Sequence, residues 1–283
     1  WRPDPETFAA QVALGANWGA VKPFALESGD QFRANPFPAP GTAAYRFQYN
    51  DAKAIGASQD TAGATGDART HFIGNYWGYE GTPVLGVPPR LYAQIAVLLA
   101  ERGKVNNPNE LARFLALVHI GMADAGIAVW DSKYHYNIGR PVTVIREEDG
   151  DAMTTADPAW KPFGISRANL ATYVRQTPPF PSYSSGHAAF GSAMFEAARN
   201  FMPDGTSFTF VSQEYDGITA DPATPGVVRP LVPVRYRSLR EAEIENGRSR
   251  VFNGVHWQID SDVGIQQGEG AARYAATTLF QKK

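Results

Sequence analysis

The chain has 283 residues, of which 43% are hydrophobic, and its formal net charge is −2. This balance, with no basic run, argues against a nucleic-acid partner. The absence of cysteine excludes disulfides and thiolate chemistry. We find no apolar run of transmembrane length and no signal pattern, so we expect no membrane insertion. Because the sequence begins at Trp1 rather than Met, we expect a processed or trimmed product.

The regular structure predicted from the sequence is mostly helical, because apolar positions recur at helical spacing and alternating strand patterns are scarce. Two short strands are expected at 208–211 and 232–236, within a long loop at 204–236 that we interpret as functional. We predict an all-α, single helical-bundle domain with long loops over residues 1–283. The predicted helices are 5–15, 48–57, 66–79, 90–102, 108–133, 164–175, 185–201, 238–253 and 260–281.

The helix predicted at 108–133 is the most apolar of the set. It has almost no polar face in its middle, which is typical of a central, buried helix. Two polar residues within it, His119 and Asp124, are interpreted as buried structural groups with satisfied hydrogen bonds. Pro141 disfavours helical geometry at Arg140, so the helix should end between Lys133 and Arg140.

A second helix should begin within the stretch Pro-Ser-Tyr-Ser-Ser-Gly-His that ends at His187. Either Ser184 or Ser185 can cap its N-terminus. The first backbone N–H groups of a helix lack helical partners and lie at the positive end of its dipole, which makes an anion site. Gly186 lets a ligand approach the backbone closely, and His187 can carry a proton near neutral pH.

Polar side chains that a helix bundle does not need are concentrated in segments 130–141, 180–190 and 247–260. These segments supply three permanent cations, Lys133, Arg140 and Arg250. Arginine forks match the oxygens of a tetrahedral oxyanion, and lysine adds a point charge. The combination suits a phosphate-like group and predicts an oxyanion site built from the three segments.

A histidine and a carboxylate four residues apart complete this set. His256 and Asp260 would lie one turn apart on a helix. The carboxylate could hold the imidazole in one tautomer and leave its other nitrogen free as a nucleophile or ligand.

The order of these residues resembles the three-part signature of type 2 phosphatidic acid phosphatases and vanadium-dependent haloperoxidases. In this sequence the signature is Lys133-x6-Arg140-Pro141, then Ser184-Ser185-Gly186-His187, then Ser249-Arg250-x5-His256-x3-Asp260. Ser184 stands where the family usually has proline, and serine is also a good cap. The family is helical, which agrees with the independent fold prediction.

Further residues resemble the haloperoxidase branch. Trp130 and Phe180 look like the aromatic pair that borders the halide position in vanadium chloroperoxidases. The run 76–81 resembles an upstream segment of those enzymes, which would place Glu80 against Arg250. The 61 residues between His187 and Ser249 are a longer insertion than compact bacterial acid phosphatases tend to have.

The resemblance implies an enzyme that oxidises halide with hydrogen peroxide to hypohalous acid at a vanadate bound through His256. Asp260 would orient that ring, Lys133 would polarise the peroxide and His187 would manage protons. The remaining vanadate oxygens would be bound by Lys133, Arg140, Ser185, Gly186 and Arg250. A small organic molecule would accept the halogen, while halide preference and oligomeric state stay open. Because the product is a diffusible oxidant, we expect a secreted or periplasmic location.

Two other functions remain open from the sequence. The same residues could serve an acid phosphatase without a resident cofactor, with phosphate as substrate. His256 would then be a phosphohistidine nucleophile and His187 the acid for the leaving oxygen. A non-catalytic oxyanion-binding protein would need the cations but not His187, His256 and Asp260 together.

Overall fold

The structure is a computed structural model that describes residues 1–6, 12–165, 167–169, 177–224 and 226–281. Helices dominate it, as the sequence predicts, and one antiparallel pair of strands joins β1 (Phe208–Asp216) to β2 (Leu231–Tyr236). The helices are α1 (Ala43–Ile55), α2 (Ala68–Tyr76), α3 (Pro88–Arg102), α4 (Pro108–Tyr136), α5 (Pro141–Val144), α6 (Gly186–Arg199), α7 (Leu239–Phe252) and α8 (Gln258–Thr278).

The core of the bundle is formed by α4, α6 and α8, which all pack against one another. Two glycines of α8 allow its backbone to approach α6 closely. A Cβ on Gly264 would lie 2.6 Å from the backbone oxygen of Ser185, and one on Gly268 would lie 2.2 Å from that of Ala189. The start of α6 is therefore held directly against the start of α8, which positions the candidate site.

The predicted central helix is confirmed and continues one turn further than expected, to Tyr136. Asn107 caps its N-terminus, and Pro108 occupies the first turn, where its missing N–H costs nothing. The helix ends where Asn137 adopts a left-handed conformation with φ of 54° and donates its N–H to the Lys133 oxygen over 2.9 Å. Lys133 thus lies in the last turn.

The two polar residues inside α4 have different surroundings. Asp124 is fully buried and accepts hydrogen bonds from the backbone N–H groups of Phe24, Ala25 and Leu26, at 2.8, 2.7 and 3.0 Å. It is a satisfied structural group, as predicted. The expectation that His119 is buried is wrong, because its side chain is exposed on the surface of the helix.

Several predicted helix boundaries differ from the observed ones because capping residues decide them. The helix predicted at 48–57 begins earlier, since Thr42 accepts a hydrogen bond from the Tyr45 N–H over 3.2 Å. The helix predicted at 66–79 is shorter, since Asp67 and Thr70 form a reciprocal capping box and the helix ends at Tyr76.

Two predicted helices fall partly on residues outside the described structure. For 5–15, the described residues 5–6 and 12–15 are turn or irregular, and 7–11 lie outside the description. For 164–175, the described residues 164–165 and 167–169 are not helical, while 166 and 170–175 lie outside it. The described parts of both segments therefore do not bear out the predicted helices.

The expectation that no apolar run reaches transmembrane length is wrong. The stretch Pro108–Val144 contains an 18-residue window with a mean hydropathy of 1.5, which is long and apolar enough to cross a membrane. In this structure 61% of that window is buried inside the protein. A core helix of a folded bundle passes the same test, so length and composition alone are weak support for a membrane span.

Candidate active site

The buried ammonium of Lys133 lies beneath the turn that precedes α6. Its Nζ donates to the backbone oxygens of Pro181 and Ser182 over 3.0 and 2.8 Å, and also to that of Ser184. Burial, assisted by the nearby charge of Arg140, lowers the pKa of Lys133 well below its usual value. Three carbonyls thus fix the cation and the turn relative to each other.

The side chain of Arg140 extends from the segment that follows α4 to the start of α8. Its Nε donates to the Phe180 oxygen over 3.0 Å, and its Nη1 contacts the Val255 oxygen at 2.7 Å and the His256 Nε2 at 3.0 Å. The third nitrogen, Nη2, is buried and has no hydrogen-bond partner among the described residues. Burial lowers the pKa of Arg140 to about 9, so the guanidinium remains charged at neutral pH.

The side chain of Arg250 extends from α7 into the same site as Arg140 and is only 1% exposed. Its Nη2 is paired with the carboxylate of Glu80, the residue that the sequence comparison placed opposite it. Its Nε and Nη1 are buried without a hydrogen-bond partner in the described part of the chain. Because burying unpaired N–H groups of a cation is costly, these atoms indicate a place for an anion.

His256 precedes α8 and is held by Asp260 from the first turn of that helix. Nδ1 of the ring lies 2.6 Å from Asp260 Oδ2, which also accepts from the Ser182 hydroxyl and from the Trp257 N–H. Burial and the surrounding cations lower the pKa of His256, whereas burial raises the pKa of Asp260 to about 6. The ring is therefore neutral, with Nδ1–H towards Asp260 and a lone pair on Nε2.

The N-terminus of α6 closes the site from the other side. Ser185 is the capping residue, and its hydroxyl oxygen accepts from the Ala188 N–H over 3.4 Å. The backbone N–H of Ser185 donates to the backbone oxygen of Asp260 over 2.8 Å. The neighbouring Ser184 instead donates its hydroxyl to Gln267 of α8. Gly186 is the first residue of the helix, and a Cβ there would lie 3.3 Å from the Trp130 ring.

His187 lies one residue further along α6 and faces the segment that follows α2. Its Nε2 is 2.8 Å from the Gly78 oxygen, which can only accept, so Nε2 carries the hydrogen. Burial, together with the charge of Arg250, lowers the pKa of His187 well below its usual value. The ring is thus neutral at physiological pH and keeps Nδ1 as its acceptor.

Trp130 and Phe180 form an aromatic pair beside Lys133. Their ring centroids are 5.1 Å apart, and the ammonium lies 5.7 and 5.3 Å from the two centroids. Both rings line a cavity of about 990 Å³ that also reaches Glu80, Gly186, His187, Arg250 and His256. Seven of the predicted site residues therefore line one cavity, while Lys133, Arg140 and Asp260 contact them without being part of the lining.

Some residues that shape the site were missed in the sequence. Ser182 donates to Asp260, and Gly78 accepts from His187. Glu214 on β1 accepts the Tyr79 N–H over 2.8 Å, next to Glu80. None of these has a spacing that would reveal it, since each acts through a contact between distant segments.

Comparison with known proteins gives a consistent result. The family model described as the second helical-bundle domain of VCPO matches residues 113–282. A vanadium chloroperoxidase from Curvularia inaequalis is 31% identical over 277 residues, covering 85% of this chain and 45% of that protein. The chain belongs to the vanadium-dependent haloperoxidase family.

Solved structures of this family share the fold. A bacterial vanadium-dependent iodoperoxidase superimposes with a TM-score of 0.74 at 24% identity, covering 99% of this chain and 60% of that one. A holo-type bacterial vanadium-dependent chloroperoxidase gives 0.67 at 20% identity, covering 95% and 55%. This chain therefore spans about half the length of the relatives that it matches.

The residues present fit the vanadate that the family name implies. Three buried guanidinium nitrogens, Arg140 Nη2 and Arg250 Nε and Nη1, have no hydrogen-bond partner among the described residues. Arg250 and His256 line the cavity, and His256 Nε2 lies 3.0 Å from Arg140 Nη1. Such a cationic donor set suits an oxyanion and would repel a bare metal cation. Within the described ranges there is no cluster of three or more His, Cys, Asp or Glu that could hold such a cation.

Proposed function

We propose that this chain is a haloperoxidase that oxidises halide with hydrogen peroxide to hypohalous acid, using vanadate bound at His256. The observation that carries this proposal is the set of unpaired, buried N–H groups on Arg140 and Arg250. Arg250 and His256 line the same cavity as the Trp130–Phe180 pair, and Arg140 Nη1 lies 3.0 Å from His256 Nε2. When bound, vanadate supplies a Lewis-acidic centre that activates the peroxide without changing its own oxidation state.

The protein's part in this reaction follows from the contacts. The guanidiniums of Arg140 and Arg250 neutralise the oxyanion, and the Asp260 carboxylate keeps His256 Nε2 unprotonated as the ligand atom. Neutral His187 accepts the proton of the incoming peroxide at Nδ1, because its Nε2–H is held by Gly78. Lys133 adds positive charge next to both aromatic rings, where a halide would be stabilised.

The first experiment is halogenation of a 1,3-diketone trap by vanadate-free protein with hydrogen peroxide and bromide, before and after vanadate is added. We expect activity to depend on vanadate, to fall with added phosphate, and to be lost in His256→Ala. Arg250→Ala should weaken vanadate binding about 10- to 100-fold, because charge-assisted hydrogen bonds are lost. Arg248→Ala is the matched control, since Arg248 lies on the same helix but pairs with Asp51. Unchanged halogenation by His256→Ala would disprove the assignment.

An acid phosphatase is the second candidate, and one observation favours it. A neutral His256 with Nδ1–H on Asp260 is poised as a nucleophile as well as a ligand. The two functions are separated by assaying hydrolysis of phenyl phosphate in the same preparation. Hydrolysis that vanadate inhibits, without halogenation, would assign the site to phosphoryl transfer.

A further inference from the structure

Met122 brings a sulfur-containing side chain to the lining of the cavity. The sequence has no cysteine and four methionines, Met122, Met153, Met194 and Met202. Thioether sulfur is soft and polarizable, and its oxidation converts methionine to the sulfoxide. Met122 lines the cavity that holds Arg250 and His256, whereas the other three methionines are not among the described residues of that lining. An oxidant formed in this cavity can therefore meet one particular methionine.

Exposure to bulk solvent ranks the four methionines in a different order. Met153 is 63% exposed, Met202 6%, Met122 3% and Met194 0%. An oxidant that arrives from the bulk solution should attack Met153 first, because susceptibility to oxidation follows exposure. An oxidant that is formed inside the cavity can instead reach Met122 without leaving it. The source of the oxidant therefore decides which methionine is oxidised first.

The face of α4 between Trp130 and Met122 is formed by unreactive groups. Trp130, Gly126 and Met122 follow one another at intervals of four residues, which places them on one face of the helix. At 1.5 Å per residue, Met122 lies about 12 Å along the axis from Trp130. A Cβ on Gly126 would lie 2.7 Å from the ring of Phe190, which also lines the cavity. Glycine and phenylalanine have no sulfur or nitrogen in their side chains, so they would not consume an oxidant that moves along this face.

The limited volume of the cavity also favours Met122. One molecule in about 990 Å³ corresponds to a concentration on the order of 1 M. The same molecule is far more dilute once it has entered the bulk solution. Reaction with Met122 is therefore favoured over reaction with the exposed Met153, unless another molecule in the cavity consumes the oxidant.

We propose that Met122 is a self-modification site, the first methionine of the chain to be oxidised to the sulfoxide during turnover. The oxidant is hypohalous acid that no acceptor has consumed. The inference rests on the proposed function, which supplies this oxidant. Oxidation of Met122 thus increases whenever hypohalous acid is formed faster than it is used.

The oxidation step balances with hypohalous acid (HOX) and water alone. The sulfur gives an electron pair to the halogen of HOX, so an S–X bond forms as the O–X bond breaks and hydroxide leaves. Water then adds to the sulfur, the halide leaves with the S–X electron pair, and two protons are released, one of which neutralises the hydroxide. The sulfur loses two electrons and the halogen gains them. The sulfoxide oxygen thus comes from water, whereas direct oxidation by hydrogen peroxide would transfer an oxygen of the peroxide.

The sulfoxide changes the packing of α4. Met122 belongs to the main hydrophobic core, together with Val118 and Ala125 of the same helix. A sulfoxide is polar, and burial of a polar group among apolar side chains without a hydrogen bond costs free energy. We therefore expect oxidation of Met122 to lower the melting temperature by a few degrees. Turnover without an acceptor would in this way weaken the enzyme's own fold.

The direct test is turnover of the vanadate-loaded protein with bromide and hydrogen peroxide, without an organic acceptor, followed by peptide mass mapping. We expect the sulfoxide at Met122 to exceed that at Met153 by about 3-fold or more, because the oxidant is formed in the cavity. Hypobromous acid added in small portions to the vanadate-free protein should give the opposite order. In water labelled with ¹⁸O, the Met122 sulfoxide should carry the label. More oxidation at Met153 or Trp130 than at Met122 during turnover, or an unlabelled sulfoxide, would overturn the inference.

The variant Met122→Leu tests the consequence for the fold. Leucine has a similar volume and no sulfur, so the variant should fold and should retain bromination of the 1,3-diketone trap. After turnover without an acceptor, its melting temperature should be unchanged, whereas that of the wild type should fall by a few degrees. Met153→Leu is the matched control at an exposed position and should lose stability as the wild type does. An equal fall in Met122→Leu and wild type would show that oxidation of Met122 does not weaken the fold.

A parallel sample separates this inference from the proposed function. Bromination of the 1,3-diketone trap reports formation of hypobromous acid, and the trap should also lower the yield of sulfoxide at Met122. Bromination of the trap by the wild type, without preferential oxidation of Met122 when the trap is left out, would overturn this inference alone. No bromination by the vanadate-loaded wild type would disprove the proposed function, and this inference would fail with it because its oxidant would not be formed.

Discussion

At the scale of single residues, the buried cations of the site are of two kinds. Lys133 uses its N–H groups on three backbone oxygens and so is tied to the protein. Arg140 and Arg250 each keep unpaired N–H groups among the described residues. The arginines therefore have N–H groups that can donate hydrogen bonds to an anion. Lys133 acts mainly through its charge and through the turn whose carbonyls it binds.

The first prediction concerns the carboxylate behind His256. Asp260→Ala should weaken vanadate binding about 10- to 100-fold, because His256 loses the acceptor that fixes its tautomer. Equilibrium dialysis against vanadate measures this directly. Asp262→Ala is the matched control, since Asp262 lies on the same helix but is exposed. Equal affinity in the two variants would show that Asp260 does not position the ring.

At the scale of elements, the β-hairpin holds the segment that supplies Gly78 and Glu80. Ser212 donates to the Tyr76 oxygen over 2.6 Å, and Glu214 accepts from the Tyr79 N–H. Tyr79 has a positive φ of 53°, which costs energy outside glycine and needs such support. The long loop predicted to be functional therefore contributes by fixing the partners of His187 and Arg250.

The second prediction concerns Glu214, whose burial raises its pKa to about 7 despite the neighbouring Arg229. Between the ordinary value of 4.5 and about pH 7, the folded state keeps a proton that the unfolded state has lost. The contribution of Glu214 to the free energy of unfolding should therefore fall as pH rises through this window, by about 3 kcal/mol at most. Urea unfolding from pH 4.5 to 7.5 should show this slope in wild type.

The variant Glu214→Gln tests the assignment of that slope, because its side chain cannot titrate. We expect it to lose this part of the pH dependence, whereas Glu101→Gln, at an exposed position on α3, should keep it. Parallel curves for wild type and Glu214→Gln would contradict the raised pKa.

The third prediction concerns the contact between α6 and α8. Gly268→Ala should lower the free energy of unfolding by about 1–3 kcal/mol, since its Cβ would overlap the Ala189 oxygen. Gly205→Ala is the control, because nothing lies within 4 Å of its Cβ and its φ is not positive. Chemical denaturation measures both, and an equal effect would mean that the helices adjust without cost.

The sequence predicts those features that are local, and misses those that depend on distant contacts. The apolar run of α4 and the cap at Ser185 are each formed by neighbouring residues. Both helices and the motif on each could therefore be predicted from the sequence. The pairing of Lys133 with three carbonyls depends on how the turn at 181–184 folds over it. The exposure of His119 depends on what packs against α4, and helical periodicity alone did not show which side is covered.

At the scale of the whole molecule, the site joins four stretches that lie far apart in the chain: 78–80, 130–140, 180–187 and 250–260. Three cations, Lys133, Arg140 and Arg250, are buried together there, and their mutual repulsion opposes folding. Glu80 and Asp260 compensate only part of this charge. An oxyanion would supply the missing negative charge and link the stretches, so the ligand should stabilise the entire fold.

The fourth prediction follows from this linkage. At a free vanadate concentration of 100 times its dissociation constant, the free energy of unfolding should rise by about 2.7 kcal/mol. The melting temperature should therefore rise by several degrees, as measured by calorimetric scans with and without vanadate. Phosphate bound at the same site should give the same rise at the same multiple of its own dissociation constant, because the stabilisation depends only on that ratio.

The control for this prediction is a pair of variants on α7. At the vanadate concentration that stabilises wild type, Arg250→Ala should show a much smaller rise, since its weaker affinity reduces the binding term. Arg248→Ala, whose side chain pairs with Asp51 away from the site, should show the full rise. The same rise in Arg250→Ala as in wild type would show that the stabilising anion binds elsewhere. The buried cations of this bundle would then not be held together by a ligand at this site.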